Sequence, residues 1–124
     1  FGATETVVWE DTPVDLGNWS INWELKPASM FADAGLSAGM TLYVYVTQTA
    51  DYWQIQFFDG HWNGMDMGMG NGNNSNAEFY TIENDRIAIP VTADVAEKFT
   101  TITDWGYCGI IQGENLIVNK ITIE

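Results

Sequence analysis

Two glutamines, Gln54 and Gln56, stand two residues apart in the stretch DYWQIQFFDGHWNG (51–64), among Trp53, Phe57, Phe58 and Trp62. An amide both donates and accepts hydrogen bonds, while an indole offers a flat apolar face. The combination suits a neutral ligand that has an apolar side and a rim of hydroxyls, and a pyranose ring has both. A second aromatic stretch, DWGYCGIIQG (104–113), supplies Trp105 and Tyr107 around Gly106. Glycines next to outward rings leave room for something flat to approach.

Reactive chemistry finds less support. Glycoside hydrolysis needs two carboxylates about 5 to 10 Å apart. Asp59 and Asp66 lie near Trp62, but with 17 acidic residues such neighbours arise by chance. His61 is the only histidine, so no multi-histidine zinc site can form, and no GxSxG motif accompanies it. His61 is expected to be a loop residue near the ligand, and no catalytic residue is expected. The lone Cys108 reads as a small buried hydrophobe. The segment 66–76 lacks the spacing of a calcium loop; no metal or cofactor is expected, although a structural calcium gathered from Glu5, Asp11 or Asp15 stays open.

These side chains need strands to hold them. TETVVWE (4–10), INWELKP (21–27), TLYVYVTQ (41–48), YWQIQFF (52–58), FYTIE, DRIAIPV, DWGYCGIIQG and NLIVNKITIE read as strands, the last two joined at Gly113–Glu114. ASMFADAG makes a short helical turn closed by Gly35. TADVAEKFTTI places Val95, Phe99 and Ile102 at helical spacing behind a Thr92 or Asp94 cap. The Gly-, Asn- and Met-rich run DGHWNGMDMGMGNGNNSNAEF reads as a loop or an irregular edge. About eight antiparallel strands with one or two short helical turns predict an all-β protein, a β-sandwich jelly roll in one unit over residues 1–124.

Alternation then assigns faces. On 52–58, Trp53, Ile55 and Phe57 share an apolar face expected to be core; Tyr52, Gln54, Gln56 and Phe58 share the other, toward solvent or ligand. A bulge near Trp53 would turn that ring outward instead. On 105–112, Cys108 and Ile110 suit the core, which leaves Trp105 and Tyr107 outward, either for a ligand or as a cover at the strand end. Trp9 and Trp23 read as core, Trp62 as a ligand residue on a polar turn, and Trp19 is undecided.

The formal charge of −13 repels polyanions, so neither nucleic acid nor an anionic membrane surface is expected as a partner. Acidity by itself also keeps a protein soluble. The chain begins at Phe1 without Met and reads as a piece of a longer or processed polypeptide.

The closing GIIQGENLIVNKITIE (109–124), the TADVAEKF turn before it and the opening ETVVWE…LGNW resemble small jelly-roll carbohydrate-binding modules of the β-glucan and xyloglucan type, which are attached to plant-cell-wall hydrolases of gut and rumen bacteria. The likeness covers most of the chain loosely. It implies a non-catalytic, extracellular module that holds a parent glycoside hydrolase at neutral β-linked polysaccharide. It also implies a sugar platform of Trp53, Trp62, Tyr80, Trp105 and Tyr107, with Gln54 and Gln56 as polar contacts. That use of Trp53 conflicts with its alternation-based place in the core. The loop GMDMGMGNGNN has no counterpart in the likeness; Met65, Met67 and Met69 serve either a sugar-facing wall or ordinary packing. A different class also fits the residues: a structural sandwich whose exposed rings form a protein–protein patch.

Overall fold

The computed structural model describes residues 4–21, 23–68 and 80–124. Nine strands and two short helices follow one another among them: β1 (Thr6–Trp9), β2 (Val14–Asp15), β3 (Trp23–Glu24), α1 (Met30–Ala34), β4 (Thr41–Gln48), β5 (Gln54–Asp59), β6 (Ile82–Glu83), β7 (Arg86–Pro90), α2 (Ala93–Phe99), β8 (Gly109–Glu114) and β9 (Leu116–Ile123). All pairings are antiparallel. The strands form two sheets, β1-β9-β4-β7-β6 with β2 also on β9, and β3-β8-β5. This is the all-β sandwich that the strand pattern predicts.

The larger sheet follows from period-two sequence. Leu42, Val44 and Val46 of β4, Ile87 and Ile89 of β7, and Val118, Ile121 and Ile123 of β9 are buried. Opposite them, Ile55 and Phe57 of β5 and Ile111 of β8 close the core. Trp9 and Trp23, as expected, pack against that core, with ring centroids 4.6 Å apart. Cys108 is buried too, and burial pushes its thiol up to about 11, which leaves it an inert apolar side chain.

Both helices match their sequence signals, with one correction. Gly35 ends α1 in the left-handed conformation (φ +85), and Thr92 caps α2 by accepting from Val95 N–H at 3.2 Å. Ile102, however, is outside the helix and exposed. The hydroxyls of Thr100 and Thr101 donate back to the carbonyls of Ala96 and Glu97, which satisfies the terminal acceptors of α2 and lets it stop at Phe99.

The junction of the last two strands falls at Asn115, just beyond the expected Gly113–Glu114. β8 belongs to the small sheet and β9 to the large one; Asn115, at φ +59, is the one residue between them. Its N–H donates to Gly17 O at 3.0 Å, its carbonyl accepts from Thr49 N–H, and its amide donates to Tyr52 O at 2.7 Å. An asparagine tolerates the left-handed backbone that such a corner requires.

On the outer side of the large sheet, Glu5 gathers three strands. It accepts from Tyr45 Oη and Thr122 Oγ1, each at 2.6 Å, and pairs with Arg86 at 3.0 Å. The hydroxyls of Thr122 and Tyr45, with Arg86 beside them, hold the Glu5 carboxyl below its ordinary 4.5 despite the opposing effect of burial. A depressed acid adds stability above its unfolded pKa and loses it as pH falls through the folded one. Thermal stability therefore declines below about pH 4.5, and Glu5→Gln makes that decline shallower while lowering the melting temperature at neutral pH. Calorimetric melting of both proteins between pH 7 and 3 checks this.

Candidate functional site

The register of β5 on β8 sets the faces of the small sheet. Gln54 opposes Glu114, Gln56 opposes Gln112 and Phe58 opposes Ile110; directly opposed residues project to the same side. Ile55, Phe57 and Ile111 go into the core, so the outer side carries an amide-rich row with Phe58 and Ile110 at one end. Gln54 and Gln56 thus share the face that alternation predicts. Gln56 is nevertheless only 4% exposed, and Gln54 is half-buried, its amide donating to Tyr52 Oη at 3.1 Å.

The face of β8 is the reverse of the one read from sequence. Ile111 is the core residue, while Ile110, though fully buried, lies on the outer side with Gln112. The cause is that β8 begins at Gly109. Trp105 and Tyr107 precede it in a loop, so their direction is not tied to the strand's alternation.

Two loops meet beyond the Phe58 end. In the first, Asp59 N–H donates to Asn63 O, Trp62 N–H donates to Asp59 O, and Asp59 Oδ1 accepts from the N–H groups of His61 and Asn63 at 2.8 and 3.0 Å. Burial pushes the Asp59 carboxyl up, but these N–H donors outweigh it and hold it below the usual range. The turn sets Trp62 at φ +64, a conformation that bulky residues seldom adopt and that costs about 1 kcal/mol or more. Its ring lies 5.6 Å from that of Phe58.

In the second loop, Gly106 N–H donates to Thr103 O and Thr103 N–H to Tyr107 O, both at 2.9 Å, with Gly106 at φ +86. Thr103 Oγ1 donates to Gly60 O at 2.9 Å and fastens the two loops together. Gly60 is required there: a Cβ would stand 2.3 Å from Tyr107 O.

This interlock brings His61 to Trp105, edge to face at 4.7 Å, and the His61 ring also bonds Asp104. That hydrogen bond, more than any other influence, holds the Asp104 carboxyl below its usual range. Trp105 remains 55% exposed. Tyr107 is half-buried, with Lys26 Nζ at 5.6 Å from its ring.

Two residues named by the resemblance lie elsewhere. Trp53 packs half-buried against the core, in agreement with alternation. Tyr80 is 3% exposed, its ring 5.9 Å from Phe57, so it is an interior ring beside the large sheet. Met65 and Met67 are core residues, which makes their role packing; Met69 lies outside the described residues. Sequence reading gave no site role to Gln112, Glu114 or Trp19. Only the strand register assigns the first two to the row of Gln54 and Gln56.

Among the described residues, no group of three or more His, Cys, Asp or Glu side chains is arranged to hold a metal ion, and no helix is long and apolar enough to cross a membrane. A concavity of about 480 Å³ is on the large sheet and is lined by Tyr43, Tyr80, Glu83 and Arg86 among others. There the Arg86 guanidinium lies 3.7 Å over the Tyr43 ring, so that aromatic face is already covered. A smaller cleft of about 180 Å³ adjoins the two aromatic loops, between His61, Asp59 and Thr103 on one side and Lys98 and Glu97 of α2 on the other. The exposed Trp105 ring, with Trp62 and the amide row close by, favours the loop end of the small sheet as the site.

No protein-family model and no curated protein matches this sequence. Among the solved structures that match is SGBP-B of the Bacteroides ovatus mixed-linkage glucan utilization locus, in complex with a mixed-linkage heptasaccharide. The two are 21% identical with a TM-score of 0.65, over 98% of this chain and 29% of that one. The chain spans less than a third of that protein's length, and the likeness is one of fold.

Proposed function

We propose that this chain is a non-catalytic module that binds neutral β-linked plant polysaccharide of the β-1,4-glucan type, including mixed-linkage glucan, xyloglucan or glucomannan. The observation that carries the reading is the pair of aromatic loops, locked side by side at Gly60 and presenting Trp62 and Trp105 at the end of an amide-lined strand face. Rings of this kind stack on the C–H face of a sugar, while amides and a carboxylate meet its hydroxyls. A neutral glycan also suits a surface with 17 acids and 4 bases. The fold shared with a protein whose structure holds a mixed-linkage heptasaccharide supports the same class of ligand.

In this reading the module works outside the cell and keeps the larger protein that carries it, a hydrolase or a surface binder, at its polysaccharide. Stacking of two or three sugars with solvent-facing hydrogen bonds gives roughly −5 to −8 kcal/mol, a micromolar to high-micromolar affinity. Native electrophoresis through gels containing xyloglucan, mixed-linkage β-glucan, hydroxyethylcellulose, glucomannan, xylan or pectin tests it. Retardation by one or more of the β-glucans is the expected result. Equal mobility in every gel, with concentration-dependent self-association in light scattering, would replace it with a protein-interaction surface.

A further inference from the structure

The far end of the outer face, away from the aromatic loops, carries a tryptophan that stands outside the core. Trp19 is half-buried, yet it belongs neither to the core nor to the residues packed against it, and among the described residues it makes no ring–ring contact. Its backbone N–H donates to Gly113 O at 2.9 Å, and its indole Nε1–H donates to Glu114 Oε2 at 3.2 Å.

Trp19 also stands at φ +62, close to the +64 of Trp62. These are the tryptophans with left-handed backbone, a state that most bulky residues avoid. Both lie against the outer side of the small sheet, one beside the Gln54–Glu114 pair and the other on Phe58. Those positions are four residue steps apart on β5, a span of about 13 Å at about 3.3 Å per residue. Strained residues persist only where the surrounding structure over-determines them, and they cluster at ligand sites.

We infer that Trp19 and Glu114 form a second anchor for the glycan, so that an internal stretch of an uncharged chain is held at both ends of the small sheet, by the aromatic loops at one and by Trp19 and Glu114 at the other. The inference rests on the reading of this face as a glycan site and extends it. Glu114 is half-buried and, when ionised, accepts only. With one oxygen held by the indole, the other is the acceptor that remains for a sugar hydroxyl. The Trp19–Glu114 bond in turn fixes the ring's angle. Gln54, opposite Glu114, and the 60% exposed Tyr52 bonded to it complete this end.

The test is isothermal titration calorimetry of the whole chain with mixed-linkage glucan oligosaccharides from trisaccharide to heptasaccharide. Trp19→Gly is the main variant, because glycine accepts the left-handed backbone and leaves the turn intact; Glu114→Gln is the second, with the backbone untouched. In the wild type, affinity rises at least tenfold from the shortest to the longest oligomer. Trp19→Gly removes most of that rise and binds the trisaccharide within about twofold of wild type, and Glu114→Gln weakens the heptasaccharide about threefold. Wild-type heptasaccharide affinity in both variants would overturn the second anchor and leave the aromatic-loop site standing. A wild-type chain that binds no oligomer would instead remove the glycan reading itself, and this inference with it.

Discussion

Trp105→Ala weakens binding of a β-glucan oligosaccharide by about thirtyfold, roughly 2 kcal/mol, while the protein keeps its fold. The ring is 55% exposed and in a loop outside the strands; its main partner is the edge-on His61. Removing it therefore opens no cavity, and exposed substitutions of this kind change stability by about 0.5 kcal/mol or less. Titration calorimetry gives the affinity and thermal unfolding gives the control. A folded Trp105→Ala protein with wild-type affinity would remove this ring from the site. Because His61 and Asp104 hold the ring, His61→Ala is expected to reduce the same affinity by a smaller factor.

Phe57→Ala acts on stability. Phe57 is fully buried on the core side of β5, with Tyr80 against it, and deleting such a ring leaves a cavity that costs about 3–5 kcal/mol. For a domain of this size that lowers the melting temperature by about 10 °C or more. Phe58, the next residue, projects to the other side and touches Trp62. Phe58→Ala is therefore expected to melt closer to wild type but to bind glucan less well. Differential scanning calorimetry and titration of the pair separate the two faces of one strand; equal melting losses would contradict the register on which the site is built.

The strands were legible because alternation is local. TLYVYVTQ needs no partner to reveal one apolar face, and it coincides with β4. The side of β5 was legible for the same reason: Ile55 and Phe57 are unambiguous, and they carry Gln54 and Gln56 to the opposite face. What failed was alternation extended past a strand's end. Trp105 and Tyr107 were counted in step with β8, but their loop turns at Gly106 before the strand begins, and the count inverted Ile110 and Ile111. The joint expected at Gly113–Glu114 falls at Asn115, and nothing local reveals that the strand beyond it changes sheets. Long-range placement was equally hidden. Glu114 joins Gln54 only through pairing across sixty residues of sequence, and the fastening of Gly60 to Thr103 and Tyr107 exists only after both loops are in place.

The corner at Asn115 has a consequence for how the molecule forms. β9, which it delivers into the large sheet, pairs with β1, β2 and β4, so the last strand of the sandwich is the one that joins the earliest to the middle. Thr6 meets Ile123 and Leu42 meets the same residue from the other side. Neither sheet is complete while β8 and β9 are missing, and most close contacts join segments far apart in sequence. Such a chain completes its sheets only once β8 and β9 are available. It collapses late, in a single cooperative step on the millisecond-to-second scale typical of high contact order, and the glycan face appears in that same step.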